Sequence, residues 1–341
     1  MARTTFFVVI LFLAACRDQP SVLEVSGETM GTTYNIVAVD ASAELDAGDV
    51  KSQVEQVLAD VNGQMSNWDP NSEISQFNAA QTTEPIAISA ELATVVRAAN
   101  EVHEKSLGQF DVTLGPLIEL WGFGPRNSES PVPTDAAIAS ALEVVGQSKV
   151  LALAEEPATL SKALPETSVY LAAIAKGYGV DMVAALLVEL GLEDYLVEIG
   201  GDLLAAGENP EGVPWSIGIE KPDAGDRTVE EVISISGLGM ATSGDYRNYF
   251  EEKGVRYSHI IDAETGRPID HETASVTVLA ESAMMADAWA TAFLALGTAR
   301  GSVIAEELDL AVYFIDRDAS LGDDGFRSSS SSRFQALVAK E

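Results

Sequence analysis

Leu171-Ala172-Ala173-Ile174-Ala175-Lys176-Gly177-Tyr178-Gly179-Val180-Asp181 joins three features that seldom share one stretch. Its start reads as a helix N-terminus, where unpaired backbone N–H groups and the macrodipole favour an anion. Lys176 stands in the first turn, where the dipole disfavours a cation. Gly177 and Gly179 flank Tyr178 and leave room for a ligand to approach the backbone. Val180, Val183, Ala184, Leu187 and Leu190 recur at helical spacing, and Gly191 suits the position just past a helix end. Two readings follow: a phosphate site on the front of a buried helix, or a core helix whose lysine snorkels to water. The stretch by itself favours the second, so the rest of the chain decides.

The 341 residues suffice for one large domain or two ordinary ones, and 47% apolar content supports a full core. Charge is lopsided, with 20 Lys+Arg against 53 Asp+Glu and a formal net charge of −33. That argues against nucleic acid and against peripheral binding to anionic lipid. The acid is dispersed, as in a solvated surface suited to saline surroundings. A phosphorylated ligand would need local positive charge, which a divalent metal supplies most simply.

Cys16 is the one cysteine, so no intrachain disulfide forms. Arg3 precedes an apolar run from Phe6 to Ala15, and Leu13-Ala14-Ala15-Cys16 looks like the lipobox of a bacterial lipoprotein signal. The run falls far short of the roughly 20 residues that span a bilayer. The expectation is a signal peptide over residues 1–15, lipidation of the Cys16 thiol, a tether over 16–24 and a folded domain over 25–341. An ordinary signal peptide is the alternative.

Val25 to Val39 reads as a strand entered through a Met-Gly turn, and Ala43 to Met65 as a helix. Met65 to Ile74 is polar and turn-rich and carries Trp68. Ser89 opens a helix to Ser106, and Gly108 to Pro125 is irregular chain dense in Gly, Pro and aromatics. Asn127 to Thr134 reads as a linker, with Thr134 capping a helix to Val145. Strands are expected over 150–160, 168–171, 195–199 (running into the Gly200-Gly201 turn), 215–220, 232–236, 275–280 and 311–316. His259 is expected at a strand start. A helix runs from Ser282 to Leu296, ending at Gly297, and Ser328 to Ser332 reads as a mobile tip. With no βαβ period and no repeat, the class is α+β with mainly antiparallel sheet.

Asp287 and Thr291, four residues apart, share a helix face. A carboxylate plus a hydroxyl suits Mg²⁺, which keeps water and phosphate oxygens in its shell, and suits equally a buried Asp bonded to the next turn. His259, beside Ser258 and Asp262, is a better general-base candidate than mid-helix His103. No Cys/His cluster exists for zinc, and no G-x-S-x-G elbow is present.

Six segments in order resemble the ApbE family, the FAD:protein FMN transferases. They are Thr29–Tyr34; Met65-Ser66 through Ile74–Asn78; Phe110–Leu117 with Trp121–Gly124; Ile174–Tyr178 with Ile199–Gly201; Ala241–Tyr246 with Ser258–Asp262 and Thr265-Gly266; and Ala286–Ala288 with Thr291. The resemblance implies an α+β, T-fold-like domain that binds FAD with Mg²⁺. It implies attack by a threonine hydroxyl of a partner protein on the FMN phosphorus, with AMP leaving. Asp287, Thr291 and the Ala173 carbonyl would ligate Mg²⁺, and Lys176 would meet the diphosphate. Met30, Trp68, Gln109, Phe110, Asp111, Tyr170 and Ile261 would line the FAD site, and His259 would take the threonine proton. The family often has an aspartate where Tyr170 stands. Acceptors implied are flavin-carrying subunits of sodium-translocating NADH:quinone reductase or Rnf-type complexes, met by an enzyme lipid-anchored on the periplasmic side of the inner membrane. An outer-membrane location stays open. Two rival functions are FAD pyrophosphatase activity and a non-enzymatic flavin-binding lipoprotein.

Overall fold

The computed structural model describes residues 21–124, 132–223, 228–322 and 325–339. The chain opens with a hairpin, β1 (Ser21–Thr29) and β2 (Thr32–Asp40), turning at Met30-Gly31. There follow α1 (Ala47–Met65), α2 (Glu73–Ala79), β3 (Ile86–Ala87) and α3 (Ala90–Lys105). Short helices α4 (Gly115–Leu120), α5 (Asp135–Leu142) and α6 (Gln147–Val150) precede the hairpin β4 (Leu151–Glu155) and β5 (Ala158–Lys162). Next come α7 (Ala175–Glu189), β6 (Asp194–Ile199), β7 (Asp202–Ala206), β8 (Trp215–Glu220) and β9 (Val229–Ile235). The chain continues through β10 (Leu238–Gly244), β11 (Tyr249–Glu252), β12 (Val255–Ser258) and β13 (Thr273–Ala280). It closes with α8 (Ala283–Glu307), β14 (Ala311–Arg317), β15 (Phe326–Ser330) and α9 (Ser332–Val338).

An eight-stranded sheet of order β1-β2-β6-β7-β10-β13-β14-β15 organises the molecule. Every neighbouring pair in it is antiparallel, so the class read from the sequence holds. Alternation sorts side chains onto two faces. On the front, Tyr34, Ile36, Val197 and Ile199 pack with α1 and α7, while Val276, Val278 and Phe314 pack with α8. On the back, Leu203, Ala205, Met240 and Tyr313 lie with the β8–β9 hairpin and α9. A satellite core of Leu114, Leu117, Trp121, Ile138 and Ile261 fixes the segments around α4 and α5.

Local signals account for most boundaries. Ser89 and Thr134 accept from backbone amides and cap α3 and α5 as expected. Gly191, at φ 81°, ends α7. Gly297 interrupts α8 with φ 71° and ψ 163°, where the sequence ended the helix, but the chain resumes helical geometry to Glu307.

Four expectations are corrected. β1 begins at Ser21, so four residues assigned to the tether belong to the sheet. Ser168–Leu171 is not a strand: side-chain amides satisfy its backbone instead, Asn78 bonding both the amide (2.7 Å) and carbonyl (2.9 Å) of Val169 and Asn67 the amide of Leu171 (3.1 Å). Ser328–Ser332 is no mobile tip, because it forms the end of β15, Ser331 as helix cap, and the start of α9. His259 follows the last residue of β12 rather than starting a strand. Cys16 and the lipobox, and most of the linker after Asn127, lie outside the described residues.

Candidate active site

At one end of the sheet the front of α7 meets the side of α8. A Cβ on Gly177 would lie 2.3 Å from the Ala283 carbonyl oxygen, so only glycine lets the two backbones approach this closely. The room expected for a ligand at Gly177 is taken by α8, and at Gly179 by Met30, whose Cε would be 2.9 Å from a Cβ there. Asp181, at the end of the opening stretch, locks the junction. Its carboxylate accepts from the Ser282 hydroxyl (2.7 Å) and from the amides of Ala283 (2.8 Å) and Met284 (3.0 Å). One turn of α7 therefore caps the N-terminus of α8.

That junction brings charged groups together. The Lys176 ammonium contacts the carboxylate of Asp202 and lies 3.7 Å from Asp287 Oδ1. Asp287 Oδ2 accepts from the Gly177 amide at 3.0 Å. This corrects the picture of bare amides at the front of α7: one of them already holds an anion, and it is the protein's own. An α-helix would send the Gly177 amide to the Ala173 carbonyl, so its diversion to Asp287 leaves that oxygen without this partner. Asp202 and Asp287 are only 2% and 4% exposed, and the Lys176 side chain 27%. Burial pushes Lys176 down and Asp287 up from their ordinary values, and each charge pulls the other back. Thr291, one turn beyond Asp287, bonds the Ser243 hydroxyl at 3.0 Å.

Oxygen donors and an excess of carboxylate over ammonium fit a hard divalent cation. Among the described residues there is no cluster of three or more His, Cys, Asp or Glu that could hold a metal. The donor set would be one carboxylate, one hydroxyl and one carbonyl: Asp287, Thr291 and Ala173.

The residues expected to meet flavin lie on other segments. Trp68 is 61% exposed. Its loop is stapled to the segment carrying Tyr170, since Asn67 donates to the Val169 carbonyl at 2.8 Å. Tyr170 is buried, and its hydroxyl donates to Glu119 Oε1 at 2.5 Å. Where the family often has an aspartate, a carboxylate thus arrives from α4. Buried Gln109 has an Oε1 with no partner among the described residues, an acceptor suited to a ligand N–H or O–H. Phe110 and Ile261 are buried in core clusters and would meet a ligand through backbone or side-chain edge. Asp111 is spent on its own loop, accepting from the Thr113 amide (2.7 Å) and hydroxyl (2.5 Å) and from the Gln147 amide (2.8 Å). His103 donates Nδ1–H to the Phe110 carbonyl at 2.7 Å and so pins the same loop.

His259 bonds the Asn248 carbonyl through Nδ1 at 3.0 Å. A carbonyl only accepts, so the proton is on Nδ1 and the lone pair on Nε2. Burial pushes its pKa below the ordinary value, leaving a neutral ring at pH 7. Among the described residues no hydrogen bond, ion pair or ring contact joins it to Lys176, Asp287 or Thr291. Sequence reasoning missed Asp202 and Ser243 as site members. The signal for Asp202 was an acid directly after Gly200-Gly201, at the start of a buried-type strand.

The sequence matches the ApbE family model over residues 30–314. It is 44% identical over 331 residues to an FAD:protein FMN transferase of Vibrio cholerae, covering 97% of each chain. It is 46% identical over 332 residues to one of Haemophilus influenzae, covering 96% of this chain and 95% of that one. Among solved structures it resembles the flavin transferase ApbE from Vibrio cholerae, with a TM-score of 0.85, 43% identity and coverage of 93% of this chain and 99% of that chain. The Pseudomonas stutzeri flavinyl transferase ApbE, apo form, superposes with a TM-score of 0.86 at 36% identity, covering 95% and 98%. The chain belongs to the ApbE family, and the relatives named here are enzymes that transfer flavin.

Proposed function

We propose that this chain transfers the FMN part of FAD to a threonine hydroxyl of a partner protein, releasing AMP, with Mg²⁺ as the metal. The observation that carries the reading is the buried cluster of Lys176, Asp202, Asp287 and Thr291 at the α7–α8 junction, in a chain whose relatives are named FAD:protein FMN transferase.

The threonine oxygen forms a bond to the FMN phosphorus, and the bond from that phosphorus to the AMP oxygen breaks. His259 Nε2 takes the threonine proton; its neutral state at pH 7 suits that task. Lys176 orients the diphosphate and offsets its charge. Asp202 and Asp287 hold the ammonium in place. Trp68 offers a stacking face and Gln109 an acceptor. A divalent cation held by Asp287, Thr291 and Ala173 would supply charge neutralisation at the leaving phosphate.

The acceptors fitting this chemistry are the flavin-carrying subunits of sodium-translocating NADH:quinone reductase or Rnf-type complexes. A lipid on Cys16 would hold the enzyme beside them on the periplasmic side of the inner membrane, and mass spectrometry of the mature N-terminus tests that: an unmodified Cys16 rules it out. The reaction is tested by incubating the protein with FAD, Mg²⁺ and the soluble flavin domain of such a subunit, then reading in-gel flavin fluorescence and free FMN. Fluorescence on the acceptor is expected. Free FMN alone would make the protein a pyrophosphatase, and unchanged FAD would make it a flavin carrier.

A further inference from the structure

β10 runs to Gly244, but its ladder with β7 covers only Leu238, Gly239 and Met240. β7 starts at Asp202, where the Gly200-Gly201 turn carries the chain away to β6; Gly200 has φ 56°, a conformation that favours glycine. Ala241–Gly244 therefore pairs with β13 on one side and, among the described residues, with no strand on the other. In a strand, alternate residues turn N–H and C=O to a given side, so this stretch presents an open edge.

The edge borders a cavity of about 440 Å³ whose walls include Thr33, Glu198, Gly201, Thr242, Gly244 and Arg247. One of its limits touches the reactive cluster. Gly200 lines the cavity, and a Cβ there would lie 3.3 Å from Lys176 Cδ. Ser243, between cavity-lining Thr242 and Gly244, turns its side chain to the opposite face of the sheet and bonds Thr291 there. Trp68, Gln109 and Tyr170 are not among its lining residues.

We propose that this cavity receives an extended, threonine-bearing segment of the acceptor protein, which adds as a short strand along Ala241–Gly244. The inference rests on the transferase reading above. Main-chain bonds supply affinity in this mode, and alternate side chains enter the wall. Thr33, Thr242, Glu198 and Arg247 line that wall beside Leu203, Ile217 and Met240, so the segment offers it polar and apolar side chains together. Its threonine enters at the Gly200–Gly244 end, beside Lys176.

The test uses Thr33→Trp, at an exposed position on β2 where tryptophan suits a strand and fills the cavity. With the flavin domain as acceptor, the acceptor KM is expected to rise about tenfold or more, with FAD affinity within about twofold of the parent. In the unmodified protein, adding the acceptor should slow amide exchange at Ala241–Gly244 about tenfold beyond FAD alone. An unchanged KM together with unprotected amides would overturn the docking, as would FAD affinity falling in step with the acceptor. No transfer by the unmodified protein would reject the transferase reading itself, and this docking with it.

Discussion

At the α7–α8 junction the protein joins distant segments by close backbone approach locked with carboxylates, whereas the loops carrying Trp68 and Tyr170 are joined by asparagine side chains. The junction uses glycine at 177 against Ala283 and a carboxylate at 181 against three groups of the α8 start. The loops use Asn67 and Asn78 as staples. Charge chemistry at a diphosphate needs groups held within fractions of an ångström, and the junction supplies that. A flat flavin ring tolerates more variation in what meets it. The difference explains how Tyr170 with Glu119 can stand where the family often has an aspartate, while Gly177 admits no replacement.

The comparison breaks most sharply at Asp287. Asp287→Ala is expected to lower transfer by about a thousandfold or more, since it removes the proposed metal ligand and a partner of Lys176. Next comes His259→Ala, expected to slow transfer about 10²- to 10⁴-fold with FAD affinity unchanged. Equal loss of FAD binding would make His259 structural. The parent rate should also report this ring. A base must be neutral to accept a proton, and burial lowers the His259 pKa. The rate should therefore rise with pH, reach half its plateau below pH 6.5, and stay level through neutrality; a midpoint above 6.5 would contradict the assignment.

Gly177→Ala forces a Cβ into the Ala283 carbonyl and should destabilise the fold by about 2–3 kcal/mol, read as a lowered midpoint in urea. Trp68→Ala, at an exposed site, should leave stability within about 0.5 kcal/mol and weaken FAD about tenfold through lost stacking. A stable Gly177→Ala protein would undo the contrast between junction and loops. The smallest effect belongs to Tyr170→Phe, which loses one hydroxyl bond to Glu119, worth about 1 kcal/mol. Calorimetry of unfolding with and without FAD would separate its stability cost from its binding cost.

Much of this architecture was legible because local rules and global packing agree. Apolar runs marked β6, β13 and β14, whereas β7 and β10 at the sheet's centre were not among the expected strands; Ser89, Thr134 and Gly191 marked helix ends. Misreadings fell where side chains from far along the chain decide the backbone. Ser168–Leu171 looks like a strand because its apolar residues are buried, yet Asn67 and Asn78, about 100 and 90 residues away, take its hydrogen bonds. The serine run after Arg327 looks unstructured by composition, but β14 provides the ladder that orders it. Asp202 escaped notice because a buried aspartate declares itself only through its partner, Lys176, which no spacing rule brings near. The glycines around Tyr178 were read as leaving room for a ligand, but what fills that room is α8 and Met30.

Mg²⁺ titration of transfer, run side by side on the parent, Thr291→Val and Asp287→Ala after each has been checked for folding, tests the central claim most directly. The parent should lose transfer to a chelator and recover it saturably. Thr291→Val should need about tenfold more metal, and Asp287→Ala should stay inactive at any concentration. A folded Asp287→Ala protein with the parent's metal dependence would contradict the assignment of the α7–α8 junction as the site of diphosphate chemistry.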